Sequence, residues 1–253
     1  MNFNNNNNQN NYNQYYQAQQ AQNIYQNNIV GADFKNYMTK MFAIVGVGIL
    51  VSTFIAYLVA SNIYSIVATF GKSAIYLMYG VMIAQIVTVL YLSYKLAKGV
   101  SFQFAFAMFI FYTALTGITL SSVAILYTGS EIFHAFAVSG LFFIALCIIG
   151  HITDYKLLTF GRTIGFALIF FLIVQVISMI FFPNVLTSPI FDFIAIGIFA
   201  FYTVYDFQRV KYAFTLAQTT EDKNKVMLSG ALSLYIDFLN LFIRILSLLS
   251  RRD

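Results

Sequence analysis

MFAIVGVGILVSTFIAYLVASNIYSIVATFG fills residues 41–71, between Lys40 and Lys72, without one charged side chain. A helix rises about 1.5 Å per residue, so about 20 apolar residues cross the hydrocarbon layer of a bilayer. The run is long enough for one crossing, at 41–60, and a turn at the interface. Read outward from it, the same test finds further spans at 73–94, 99–130 and 132–153. A fifth, 163–191, is broken by Pro183-Asn184 and by Pro189. A sixth at about 188–210 holds Asp192 and Asp206, and a seventh at about 226–249 holds Asp237 and Arg244.

The whole chain has 253 residues, 60% hydrophobic and 9% charged, with a mean hydropathy of +0.75. A soluble domain is usually about 25% charged. The fold class expected is therefore an all-α membrane protein with seven transmembrane helices. Residues 1–36 are different: a polar tail with an asparagine run, Asn4 to Asn8, filled out by Gln, Asn and Tyr. It buries too little to offset its ordering entropy and is expected to be disordered, or else to self-associate. Residues 37–253 form one membrane domain. No basic region followed by an apolar core opens the chain, so no secretory leader is expected.

Cys147, the only cysteine, lies in an apolar run, which leaves no disulfide within the chain and no cysteine metal site. The net charge of +5 sits in short loops, where it suits topology and anionic headgroups rather than nucleic acid. With the N-terminus in the cytoplasm, that side collects Lys35, Lys40, Lys95, Lys98, Lys156, Arg162, Arg209, Lys211, Lys223 and Lys225, against Lys72 alone on the far side. Arg251 and Arg252 break the pattern if the seventh segment crosses fully, and fit it if that segment dips in and returns. Gly46, Gly48 and the run Thr113 to Gly117 are small enough to let helices approach closely. Gly46-Val47-Gly48 lies inside an apolar span without a preceding strand or third glycine, and is no nucleotide loop.

An ionisable residue inside a span costs about 2.5–3.5 kcal/mol on insertion scales and is a functional candidate. Asp192 stands about 21 Å along the helix from Asp206, so it is expected near the far-side interface as a solvated span end. Asp206 can pair locally with Arg209 three residues on. Asp237 is deep in its span, and Arg244 is about 10 Å further along the helix, too far for direct contact. Antiparallel spans six and seven can bring Asp206 and Asp237 together at similar depth. Two such carboxylates cannot easily both ionise, and share a proton. Carboxylate and backbone oxygens also suit a hard cation such as Ca²⁺.

Three stretches resemble the Bax inhibitor/YccA-like family, also called the transmembrane BAX inhibitor motif proteins. They are Tyr112-Thr113-Ala114-Leu115-Thr116-Gly117-Ile118-Thr119-Leu120-Ser121-Ser122, Val204-Tyr205-Asp206-Phe207-Gln208-Arg209-Val210, and the segment from Gly230 through Asp237 to Phe242. Gly150-His151-Ile152-Thr153 through Leu157 matches more loosely. The likeness covers residues 37–253. It implies six outer helices in two layers around a central seventh, and a pH-sensitive Ca²⁺ leak with a di-aspartyl sensor. Asp206 and Asp237 match the sensor positions, as cation gate and calcium ligands. Arg209, Arg244, Gln85 and Tyr205 are candidate supporting residues. The family's bacterial channel latches its acids with an Arg on span two. Here no Arg precedes Arg162, and span two offers Gln85 in its middle.

The resemblance also allows a non-conducting regulator of a membrane-bound AAA protease or of a cell-death or stress pathway. The expected partners are then the lipid bilayer, calcium ions and a membrane protease complex, with no cofactor and no nucleic acid. An enzyme is not expected. Intramembrane aspartyl proteases need Gly-x-Gly-Asp at the second acid, which here follows Leu234-Tyr235-Ile236. His134 and His151 stand at opposite ends of span four, about 25 Å apart, and no metal-ligand spacing occurs. A bacterial plasma membrane is the expected location in preference to the endoplasmic reticulum.

Overall fold

The computed structural model describes residues 5–174, apart from 72, 154, 162, 164, 168, 169 and 172, and residues 188–252. Two compact units divide the chain, Met1–Lys40 and Met41–Asp253. In the first, helical backbone begins at Asn5, inside the stretch whose composition predicts disorder. A helix already nucleated elsewhere extends at small cost per residue.

The described elements are helices: α1 Asn5–Ser61, α2 Ile63–Phe70, α3 Ser73–Lys98, α4 Phe102–Leu126, α5 Gly129–Ile152, α6 Pro189–Leu216 and α7 Thr220–Leu249, with a 3₁₀ turn at Tyr155–Phe160. Six spans long and apolar enough to cross a membrane lie among the described residues, the first at Asp33–Ser61. The chain is an all-α, multi-pass membrane protein. Most of the fifth expected span, including its Pro183-Asn184 turn, lies outside the described residues. The seventh segment does not dip and return: α7 is one helix of 30 residues, about 45 Å long, enough to cross.

Helix ends are set by local chemistry outside the apolar runs. Thr128 and Glu131 form a reciprocal capping box at the start of α5. Thr219 accepts from the Asp222 amide at 3.0 Å to open α7. Gly99 adopts φ +89° just past Lys98, a conformation that turns the chain after α3 and favours glycine.

Apolar side chains such as Leu50, Tyr64, Leu126 and Leu141 stand outward, which hydrocarbon tolerates and water would not. The inner faces meet around α7, the most enclosed of the described spans. It packs on α3, α4, α5 and α6. It also meets α1, where the Tyr235 hydroxyl and Ser52 Oγ share a short hydrogen bond. Ser52 lies within 2.9 Å of both the Gly48 and Thr113 carbonyl oxygens, so one hydroxyl ties α1, α4 and α7 together. Phe109 and Tyr112 of α4 meet the Tyr235 ring edge-on at 5.7 and 6.1 Å. Phe136 and Phe143 of α5 meet Phe238 in the same manner.

Glycine permits the closest approaches. A Cβ on Gly117 would lie 2.6 Å from the Ser52 carbonyl oxygen, and one on Gly48 would lie 2.8 Å from Phe109 Cζ. These bear out the reading of Gly48 and the 113–117 run as helix contacts. Gly46 has nothing within 4 Å of such a Cβ and takes no part.

Asp192 corrects an expectation. It is not a solvated span end but fully buried. Arg244 Nη1 lies 3.2 Å from its Oδ1, Arg251 Nη2 lies 3.0 Å from its Oδ2, and Ser247 donates to Oδ2 at 2.8 Å. The Arg244 guanidinium also covers the Phe191 ring at 5.2 Å. Antiparallel packing explains it: the start of α6 meets the end of α7, where both arginines lie. The anomalous position of Arg251 in the charge count has the same origin, since it is held by Asp192.

Two outcomes follow for stability in detergent. Gly117→Val should lower the unfolding midpoint, at a cost of about 1–3 kcal/mol for overpacking, while Gly46→Ala leaves it in place; equal melting of the two would contradict the packing described. Asp192→Asn strands two partly buried guanidinium groups and should cost about 3–5 kcal/mol. The double change Asp192→Leu with Arg244→Met should recover much of that loss in the same melting assay.

Candidate functional site

Asp206 on α6 and Asp237 on α7 are both buried, 4% and 3% exposed. Contacts Val210–Gly230, Arg209–Ser233 and Asp192–Ser247 define one antiparallel register for the two helices. In that register Asp206 stands level with Leu234, and Asp237 lies roughly one turn deeper, about 4–5 Å along the axis. Close packing makes this possible. A Cβ on Gly230 would stand 2.6 Å from Val210 Cγ2, and one on Gly150 of α5 would stand 3.0 Å from Phe207 Cβ. Small residues from α5 and α7 thus hold α6 tightly around its acid. Asp237 feels the charges of both Asp206 and Arg209.

Arg209 links the two helices. Its Nη2 lies 3.4 Å from Asp206 Oδ1 and donates to Ser233 Oγ at 2.8 Å, one turn before Asp237. The local Asp206–Arg209 pair read from the sequence is present. It leaves acid in excess, two carboxylates to one guanidinium. Among the described residues, Asp237 Oδ2 has no hydrogen-bond partner, and Asp206 Oδ1 has only the Arg209 guanidinium at 3.4 Å. Buried oxygens without partners are costly and mark where a proton, water or cation would be accommodated.

Cavities lie on both sides of Asp237 along α7. One of about 430 Å³ between α3, α6 and α7 is lined by Arg209 and Ser233. The other, about 440 Å³ and apolar, has Phe238, Leu239 and Phe242 of α7 facing α1, α4 and α5. The acids thus occupy the interval along α7 between a recess that carries charged and hydroxyl groups and an apolar one.

The remaining candidates go elsewhere. Arg244 reaches Asp192 instead of the acid pair, because it lies two turns nearer the other end of α7. Gln85 of α3 donates to Thr116 Oγ1 at 2.9 Å and accepts from Thr119 Oγ1 at 3.3 Å, bracing α3 on α4. Tyr205 meets the Tyr202 ring edge-on at 5.9 Å, and its hydroxyl lies against Gly161. His134 lies 3.4 Å from Ser130 Oγ at one end of α5, and the His151 carbonyl accepts from Lys211 at 2.7 Å at the other. Cys147 is buried within electrostatic range of Asp237.

Two residues escaped the sequence reading. Ser233 holds the guanidinium, but a serine in an apolar helix reads as a packing residue. Gln208 is fully buried, and among the described residues neither end of its amide has a hydrogen-bond partner. A glutamine two residues from an acid inside a span was the available signal. Among the described residues no three His, Cys, Asp or Glu side chains gather for a metal. A hard cation between the acids would complete its shell with water and neutral oxygens.

Comparison with known proteins agrees with this architecture. The family model described as "Inhibitor of apoptosis-promoting Bax1" matches residues 34–253. The inner membrane protein YbhL of Escherichia coli K12 is 31% identical over 226 residues, 87% of this chain and 94% of its own length. An uncharacterized membrane protein of Streptococcus pyogenes serotype M1 is 31% identical over 236 residues, 91% of this chain and 98% of its own. A protein of Borreliella burgdorferi is 30% identical over 219 residues, 86% and 93% of the two chains. With a matched model over nearly the whole membrane domain and relatives of the same length, the chain belongs to the Bax inhibitor family.

Proposed function

We propose that the chain is a proton-regulated cation leak, with Ca²⁺ as the ion carried and Asp206 and Asp237 as sensor and gate. The observation that carries this reading is the pair of buried carboxylates on neighbouring helices, with the Arg209 guanidinium beside Asp206 and Asp237 Oδ2 without a hydrogen-bond partner among the described residues. An uncompensated acid in a span is expensive to keep without a use. Protons set the charge of such a pair, and the charge sets whether it attracts a divalent cation or releases it. The two cavities on either side of Asp237 support a path across this point. The apolar recess, where water is easily expelled, suits the closed state.

The orientation proposed has the N-terminus and the Arg209 cavity on the cytoplasmic side of a bacterial plasma membrane, following the lysine and arginine count. The buried state of Cys147 favours a direct check. Lys98→Cys should react with a membrane-impermeant thiol reagent only after the inner face is opened, and Gly129→Cys in intact cells. The reverse pattern would invert the topology.

The function is tested with purified protein in liposomes holding a calcium dye. Wild-type protein should pass Ca²⁺ at a rate that varies with pH. Asp237→Asn should flatten that variation, and Asp206→Asn should change the flux severalfold, about 1 kcal/mol at the gate. Flux absent from wild type, or a pH response intact in both variants, rejects the channel and leaves a non-conducting regulator.

A further inference from the structure

The cavity beside Arg209 has a composition that the leak does not require. It opens between the last turns of α3 and the facing parts of α6 and α7, with a volume of about 430 Å³. Its wall carries two cations, Arg209 and Lys225, and three hydroxyls, Ser93, Ser229 and Ser233. These come from three different helices. Arg209 is 44% exposed in its side chain, and both contacts described for it use the same nitrogen, Nη2. A guanidinium has five N–H donors in a fork suited to phosphate oxygens. Lys225 Nζ lies 3.0 Å from Glu221 and 3.7 Å from Asp222, both on the opening turn of its own helix and well exposed. Exposed pairs of that kind are weak and exchange readily for a better partner. The cavity lies at the end of α6 and α7 that carries Arg209, Lys211, Lys223 and Lys225.

We propose that this cavity binds a phosphate group, that of an anionic phospholipid headgroup in preference to the free ion. The phosphate oxygens would receive Arg209 and Lys225, with the serine hydroxyls donating to the remaining lone pairs. Basic recesses between membrane helices hold headgroups by this chemistry. Arg209 is shared, because the same guanidinium touches Asp206. A bound phosphate competes with Asp206 for it and leaves the acid pair more negative. Anionic lipid therefore regulates the gate; this second step rests on the leak reading, whereas binding does not.

The test separates them. The full-length protein is placed in phosphatidylcholine nanodiscs and exposed to phosphatidylglycerol or to inorganic phosphate, and bound lipid is counted by native mass spectrometry. Wild type should retain phosphatidylglycerol over phosphatidylcholine. Lys225→Gln should weaken retention about fivefold, the share of one basic residue at the surface. Ser229→Leu, which fills the cavity without changing charge, should weaken it as well. Displacement of the lipid by inorganic phosphate upholds the phosphate site with the free ion as its source. Wild-type retention in both variants, or no preference for phosphatidylglycerol in wild type together with no phosphate binding, overturns the site. In calcium-dye liposomes, added phosphatidylglycerol should alter wild-type flux and leave that of Lys225→Gln unchanged. A protein without any leak fails the channel reading while the nanodisc result still decides the site.

Discussion

Hydrocarbon offers no water to a buried polar group, so each such group in a span must find its partner within the protein. The structure around α7 is organised by that constraint. Ser52 and Tyr235 satisfy one another at the centre, Asp192 takes two arginines and a serine, and Gln85 is matched by two threonines. Threonine and serine hydroxyls elsewhere bond to carbonyls one turn back in their own helices, as Thr203 does to Phe199 and Ser139 to Ala135. Against this background the acids and the neighbouring Gln208 stand out, among the described residues, as the place where supply of partners runs short.

The two ends of the α6–α7 pair have opposite electrostatic character. At one end a single carboxylate meets two guanidinium groups; at the other, Asp206 meets one and Asp237 lies buried nearby without an ion pair described for it. One register serves both, so the clasp at Asp192 also holds the depth of Asp237 against Asp206. A shift of α7 along its axis would disturb both clusters together. Close contacts at Gly230 and Gly150 oppose such a shift, because side chains are already at van der Waals distance there. Rigidity at these glycines and chemical tension at the acids are consequences of the same tight packing.

Arginine placement is the feature by which this chain differs from the pattern its resemblance suggested. Span two has no arginine, and its Gln85 is spent on α4. The guanidinium beside the acids comes instead from Arg209, on the same helix as Asp206 and one turn nearer its end. That position is half exposed and opens on a cavity, so it joins buried Asp206 to that recess.

Much of the architecture was legible in the chain itself. Charge-free runs of about 20 residues can be satisfied in a bilayer only as helices, so 41–60, 73–94 and their successors had to be spans. Asp206, Arg209 and Asp237 were readable because a charge inside such a run is rare. Asp192 was misread because its partners, Arg244 and Arg251, lie more than fifty residues away and meet it only through antiparallel packing. Ser233 was invisible for the same reason, since its role depends on which helix face α6 presents to it. Sequence period and composition determine that a segment crosses the membrane and what it carries; which carried groups meet is decided by rotation and register, and those are set by side-chain packing between helices that no single segment contains.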